Sequence, residues 1–460
     1  MTKTENIELI TGDPKKAIVK LAAPMIVAML LLTFYNLADS IWVAGIGPDA
    51  LAAIGFISPL YMVVIGLGTG IGAGANSLIA RYIGSKDYSQ ASNAALHSLL
   101  ITVIISAAST VIFLVFMDPI LILMGAGDAL EIAGQYSSIL FGFIFVFVYI
   151  NVLSSIFRSE GDMKRGTIPI VAAAILNIIL DPIFIYVFGW GISGAGWATV
   201  FSATLSCIVM SYWVWGKKDM FLDLSFKNFK YQSSLLYDIM YVALPSTIEN
   251  IMFSALGVII NNMLVVVDGT SAVAVYTAAL RMIQVAQIPL NGIATALLTV
   301  SGVSYGALNY KNLKTAYSYS IKLGFSILVV LGALMFIFSP QLASLFAYTA
   351  ASASLSTDIS NAISILVFFL LSIPLGTLSS LMFQGVGKGL HSLFITMLKS
   401  LVSECILAYI FGFVLGWGVF GIYLGIIVGA FVGGFIGYIM SKLFIRDFKK
   451  MAENKTSSEN

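Results

Sequence analysis

Apolar and polar positions fall into long blocks along this chain instead of alternating at short range. Apolar runs of roughly 20 to 25 residues recur, each long enough for one helix to cross a hydrocarbon layer. They predict twelve spans, at 15–41, 50–77, 92–117, 133–157, 166–189, 194–215, 236–262, 271–301, 316–338, 358–383, 390–415 and 419–446. The first has a good start signal, with Asp13 as N-cap and Pro14 at the first helical position. Strands of a membrane barrel need only about ten alternating residues. Only helices and closed barrels satisfy their backbone in lipid, so the predicted class is an all-α integral membrane protein.

The polar connections orient the spans. Lys15, Lys16 and Lys20 open the first. Arg81 and Lys86 join the second and third, and Arg158, Lys164 and Arg165 the fourth and fifth. Lys217, Lys218, Lys227 and Lys230 fill the central connection. Lys311, Lys314 and Lys388 follow in register, and Lys442, Arg446, Lys449 and Lys450 close the chain. The alternate connections, such as "GIGPD", "GWGISG", "VDGT", "SPQLASLFAYTAASASLSTD" and "GWGVFG", contain no Lys or Arg. The positive-inside rule then puts both termini in the cytoplasm.

The two halves resemble each other at an offset near 222 that drifts to about 227. "KLAAPM" around Pro24 matches "YVALPS" around Pro245, and "GPDALAAIG" matches "GTSAVAVYT". "IGSKDYSQA" matches "YGALNYKNL", "LSSIFRSEG" matches "LSSLMFQGV", and "VFGWGISG" matches "VLGWGVFG". Six spans per half is an even number, so the repeats are parallel, related by an axis along the membrane normal. The expected domains are a six-helix lobe at 1–215, a linker at 216–235, a second six-helix lobe at 236–446 and a polar tail at 447–460. Two pseudo-symmetric lobes around a central cavity are a usual architecture for a secondary transporter, although channels have repeats too.

Composition narrows the class further. Hydrophobic residues make up 59% of the chain and charged residues 10%, against about 25% charged in soluble domains. A net charge of +2 gives no reason to expect nucleic acid. Cys207 and Cys405 both fall inside apolar spans and imply neither a disulfide framework nor a metal site. The polar opening, with Glu5 and Glu8, is unlike a cleavable signal peptide. The glycines of "GLGTGIGAG", Gly66 to Gly74, lie inside a span and read as close helix packing, not as a phosphate loop. "GISG", Gly191 to Gly194, fits a short intramembrane serine protease signature, but His97 and His391 lie about 30 Å away across the hydrocarbon. No enzyme is expected.

Charges deep in a membrane are expensive and mark functional candidates. Here these are Asp39, Asp181, Glu249, Arg281 and Glu404. Asp39 lies one turn beyond Tyr35, near the outer end of its span, where snorkelling is the plain alternative. Asp181 is about 15 residues into the fifth span. Asn177 shares its face, four residues back. Pro182 cannot donate to the Ile178 carbonyl, so three hard oxygens converge on one turn, as a small cation or a proton relay requires. Thr199 adds a hydroxyl, or simply packs. In the second half Glu404 takes the place of Asn177 and Ala408 that of Asp181. Glu249 and Arg281 are plausible partners, either in coupling or as a structural buried pair.

"LAAPM…LLTFYNLADSIWVAGIGPDALAAIG", "RYIGSKDYSQA", "FRSEGDMKRGTIPIVAAAILNIILDPIFIYVFGWGISGAGWAT" and "FQGVGKG" resemble segments of multidrug and toxic compound extrusion (MATE) transporters, of the prokaryotic DinF-like branch. The resemblance spans nearly the whole chain. It implies alternating access and export of amphipathic, often cationic compounds driven by Na+ or H+ entry across the cell membrane. It also implies a cation site of Asp39, Asn177, Asp181 and Thr199, with Tyr35, Asn151 and Pro24 matching positions for coupling or helix bending. Some members place critical acids in the second lobe, where Glu249 lies on the corresponding seventh span; Glu249, Arg281 and Glu404 are candidates there for coupling or for lining the substrate path. A monomer is expected, with small amphipathic molecules and membrane lipids as partners and no cofactor beyond the coupling ion. A flippase or exporter of lipid-linked or metabolite substrates in the same superfamily is the alternative.

Overall fold

The computed structural model describes residues 3–124, 126–217, 219–346 and 353–459, and every regular element among them is helical. A short N-terminal helix, Lys3–Thr11, precedes the spans. Spans α1 (Pro14–Ala44), α2 (Pro48–Gly84) and α3 (Tyr88–Leu123) follow. Span α4 is a bent pair, Leu130–Gly142 and Ile144–Ser159, turned by 45°. Next come α5 (Met163–Val187) and α6 (Gly191–Gly216). The stretch Ser233–Gly306 is two helices, α7 (233–267) and α8 (270–306), which meet at Asp268 and Gly269, both non-helical. Gly269 has φ 72°, a region that favours a residue without Cβ. Then come α9 (Tyr310–Ile337), the bent pair α10 (Ser356–Leu371 and Ile373–Gly385, 42°), α11 (Gly389–Val414) and α12 (Gly418–Glu459). The described residues thus contain the twelve expected spans, and the molecule is an all-α membrane protein. Part of the expected connection between α9 and α10, residues 347–352, lies outside the described residues.

Capping confirms the first boundary, since the Asp13 carboxylate accepts from the Lys15 N–H at 3.0 Å. Both polar ends are helical. The polar opening folds as a helix because Ile7 and Ile10 share a buried face. That face closes over Gly161, where a Cβ would meet the Asn6 carbonyl at 2.7 Å. The segment 447–460, expected as a polar tail, is helical through Glu459. Its apolar residues Phe448 and Ala452 continue the helical spacing of Ile445 just before it, and all three are buried, with the Phe448 ring 4.8 Å from that of Tyr305.

Contacts divide the chain into two compact units, Met1–Gly12 with Val27–Thr247, and Asp13–Ile26 with Ile248–Asn460. Helix α1 therefore changes unit just after Pro24. The central connection packs with the first unit. Asn93 donates to the Lys230 carbonyl and accepts its N–H, and His97 Nε2 accepts from the Gln232 N–H at 3.0 Å. Glu160, on the α4–α5 turn, accepts from the N–H groups of Phe221 and Leu222. Arg165 pairs with Asp219 at 2.6 Å.

The sequence repeat recurs as matching backbone geometry within each unit. Lys86 and Leu308 both adopt positive φ. Asp87 and Asn309 cap the following helix by accepting from Gln90 and Asn312 N–H, each at 3.0 Å. Ile183–Val187 and Ile410–Val414 are both π-helical, widened turns that close with Phe188 N–H to Ile183 O and Leu415 N–H to Ile410 O, each 2.9 Å. Gly194 and Gly421 then press their backbones against Phe184 and Phe411 respectively, where a side chain would collide with main chain.

Candidate functional site

In the first unit α5 and α6 pack side by side, and their polar residues meet. Pro182 ends the α-helical ladder of α5 and the π-helical turn follows it, so Asn177 and Asp181 occupy the last α-helical turn before the widening. Asn177 Nδ2 donates to Asp181 Oδ1 at 3.1 Å and approaches Thr199 Oγ1 at 3.3 Å. Thr199 in turn donates to the Ala195 carbonyl at 3.0 Å. From α1, the Asp39 carboxyl hydrogen-bonds that of Asp181. The four residues singled out for a cation site therefore converge within one unit.

The electrostatics of this cluster are unusual. Asp181 is fully buried and Asn177 nearly so. Two ionised carboxylates have no proton to share, so the Asp39–Asp181 contact requires one proton between them or a cation against them. With both acids ionised, Asn177 Oδ1 and Asp181 Oδ2 are buried with no partner among the described residues. An acceptor left in that condition is costly. Oxygens of a carboxylate, an amide and a hydroxyl are the hard donors that small cations favour.

Three tyrosines surround the acids. Tyr35, Tyr61 and Tyr136 each interact electrostatically with Asp39, and Tyr35 and Tyr136 also with Asp181. The Tyr61 ring is held edge-on to Phe147 at 5.4 Å. Tyr35 was legible in the sequence as the residue one turn before Asp39. Tyr61 and Tyr136 were not, since neither shares a helix with Asp39 or Asp181 and an aromatic in an apolar run carries no signal. Asn151 stands apart from the cluster. It donates to the Phe147 carbonyl at 2.8 Å and packs against Gly68, 3.1 Å from the position of a Cβ there. The neighbouring Gly70 lies under the Ala243 carbonyl, at 2.7 Å from such a Cβ, so this glycine run serves close packing. Pro24 is half-buried inside α1.

The second unit holds its acids differently. Glu249 is buried on α7 and accepts from Ser392 at 2.6 Å, Ser380 at 3.1 Å and Gln384 at 3.3 Å, with a further hydrogen bond from Thr396. Arg281 is not among these partners, and its side chain is exposed. The expected Glu249–Arg281 pair is thus replaced by a neutral shell of hydroxyl and amide donors. The physical reason is local: α10 and α11 bring four polar side chains to the carboxylate, and these satisfy it without a counter-charge. Glu404 closes a π-helical stretch, Leu398–Glu404, and is 2% exposed. Its Oε1 has no partner among the described residues, and it interacts with Lys399 and Tyr276. Ala408, at the place of Asp181, is covered by the Gly425 backbone.

Comparison with known proteins agrees with this arrangement. A family model, MatE, matches residues 24–183 and 245–410, most of both halves. An FAD transporter from Shewanella oneidensis is 27% identical over 347 residues, covering 74% of this chain and 75% of its own. The multidrug export protein MepA of Staphylococcus aureus is 23% identical over 390 residues, covering 84% and 85%. Among solved structures, an outward-facing multidrug resistance MATE family transporter of the MOP superfamily superposes with TM-score 0.94 at 38% identity, covering 98% of this chain and 99% of that one. With twelve helices in two repeated lobes and a buried polar cluster on the matched segments, the chain belongs to the MATE family, as a multi-pass membrane efflux transporter and not an enzyme.

Proposed function

We propose that this chain is an antiporter of the cell's plasma membrane that exports amphipathic, cationic compounds in exchange for Na+ or H+ by alternating access. The observation that carries this reading is the buried contact between Asp39 and Asp181, beside the unpartnered oxygen of Asn177. Asp39, Asn177, Asp181 and Thr199 bind the coupling ion, and the surrounding tyrosines sense its arrival. Tyr35, Asn151 and Pro24 link occupancy to the bending of α1. Glu249 and Glu404 contribute a second, weaker site or line the substrate path, and Arg281 lines that path. No cofactor beyond the coupling ion takes part. The positive-inside distribution of Lys and Arg supports cytoplasmic termini. The transporter works as a monomer.

The test is efflux of a cationic dye from inverted vesicles under separate Na+ and H+ gradients. Transport driven by either gradient supports the reading. Transport driven by neither, in vesicles with abundant folded protein, overturns it. A second reading is favoured by the FAD transporter relative: export of a metabolite or lipid-linked compound. FAD efflux in the same vesicles, with the dye left untransported, would decide for it.

A further inference from the structure

The second unit contains a cavity of about 230 Å³ where the α7–α8 junction meets the first turns of α10 and α12. Its polar lining is Asp268, Ser271, Asp358, Asn361 and Tyr423, beside Phe420, and among the described residues no basic side chain lines it. It is separate from the residues around Glu249 and from the acid cluster of the first unit.

Helix starts account for part of this. Asp268 lies at the break before α8, and Asp358 in the first turn of α10, where a carboxylate opposes the helix dipole. Dipole compensation does not account for Tyr423. This residue is only 3% exposed, yet its hydroxyl has no hydrogen-bond partner among the described residues. The ring is fixed by stacking on Tyr276 at 5.8 Å, and Asp268 and Asp358 are close enough to act on the hydroxyl electrostatically without bonding to it. A buried hydroxyl left without a partner is costly unless a water or an ion's hydration shell reaches it. The first unit has no counterpart. The repeat that sets Leu153 opposite Leu378 and Val187 opposite Val414 also sets Tyr136 opposite Asn361 and Gly196 opposite Tyr423. There the Tyr136 ring lies 3.3 Å from the place of a Cβ on Gly196.

We propose that this cavity is a binding site for a hydrated divalent cation, with Asp268 and Asp358 as its charged ligands, Asn361 and Ser271 as neutral oxygen donors, and the Tyr423 hydroxyl reaching the ion through its water. The charge balance fits, since two carboxylates match two positive charges. The size fits as well. At about 30 Å³ per water, the space holds roughly eight waters, but it is smaller than the sites of drug-sized ligands, at about 300 Å³ or more. Carboxylate, amide and hydroxyl oxygens with water completing the shell are the chemistry of Ca2+. Because both acids are exposed, the affinity belongs with that of extracellular modules, roughly 0.1 to 1 mM. A bound ion would tie the α7–α8 junction to the starts of α10 and α12.

The experiment is calorimetric titration of the purified full chain with Ca2+ at fixed ionic strength, paired with thermal melting. The expected result is saturable binding in that range and a rise in melting temperature. Asp268→Asn with Asp358→Asn should abolish both. Tyr423→Phe should weaken binding by about tenfold while leaving the ion-free melting temperature unchanged or higher. Asp181→Asn should leave Ca2+ binding intact, which separates this site from the first unit's cluster. Absence of Ca2+ binding by the wild type overturns the proposal, as does binding that Tyr423→Phe and the double variant leave unaltered. Binding of tetramethylammonium with no response to Ca2+ overturns it too.

Discussion

The carboxyl of Asp39 on α1 and the carboxyl of Asp181 on α5 hydrogen-bond each other across 142 residues of chain. Helix α1 is thereby tied to α5 by a contact that requires a shared proton or a cation between the two carboxyls. Deprotonation without a cation would set two negative charges against each other in a low-dielectric interior. The proposed function rests the coupling of ion occupancy to the position of α1 on this contact. Pro24, about four turns before Asp39, interrupts the α1 ladder just before the helix changes unit.

Asp181→Asn is expected to abolish gradient-driven efflux while the protein still inserts and melts cooperatively. The amide keeps the size of the side chain and its contact with Asn177, but neither shares a proton with Asp39 nor neutralises a cation. Vesicle efflux measured beside a melting curve in detergent is the check. Wild-type efflux from a well-folded variant would remove Asp181 from the mechanism. Thr199→Ala, which removes only a neutral hydroxyl, should reduce the apparent ion affinity by about tenfold and leave the maximal rate standing.

Ser392→Ala should destabilise the protein by about 1.5 to 3 kcal/mol, the range for a hydrogen bond to a charged group. Ser392 makes the shortest contact with the Glu249 carboxylate, 2.6 Å. A double-mutant cycle on thermal stability should show clear coupling between Ser392 and Glu249, and coupling near zero between Arg281 and Glu249. A strong Arg281–Glu249 term would restore the ion pair that the sequence implied.

Glu160, on the turn between α4 and α5, offers a stability readout outside the spans. Burial pushes its carboxyl up to about 7, more than the N–H groups of Leu222 and Phe221 pull it down. A carboxyl whose folded value is raised binds a proton in the folded state that the unfolded chain has already lost. Stability from this group is therefore full below about pH 4.5 and falls as pH rises toward 7, by on the order of 3 kcal/mol across the window. Glu160→Gln should flatten the dependence of melting temperature on pH between 5 and 7. Identical pH profiles for wild type and variant would show that Glu160 titrates normally.

Much of this fold was legible because a membrane span is encoded by length and hydropathy, which survive any detail of packing. The two bent spans were less so. The break at Phe143 follows no proline, and only the backbone geometry reveals it, whereas Pro374 at the α10 break was visible but gave no angle. The first-unit cluster was legible because Asn177 and Asp181 share a helical face and polar residues stand out in an apolar run. The partners of Glu249 were not, since Ser380, Gln384 and Ser392 come from other helices and a lone serine in a span usually bonds its own backbone. Charge pairing was the natural guess for Glu249, and a shell of neutral donors satisfied it instead.

The last prediction concerns which ion the cluster takes. Asp39 and Asp181 bring up to two negative charges together, and a single Na+ neutralises only one. The cluster then holds a proton, a Na+ ion, or one of each. Na+ suits the oxygen set of Asp39, Asn177, Asp181 and Thr199 and would satisfy the orphaned Asn177 Oδ1 and Asp181 Oδ2 together. A shared proton satisfies only the carboxyls. Sodium should therefore raise the melting temperature, and more so as pH rises, because protons compete for the same oxygens. Potassium, being larger, should not. Asp39→Asn should weaken the sodium effect, and Asn177→Ala should weaken it while sparing the response to pH. Melting curves across a matrix of pH and Na+ concentration measure all of this. A melting temperature indifferent to Na+ at every pH, together with efflux driven by a pH gradient alone, would make the transporter a pure proton antiporter.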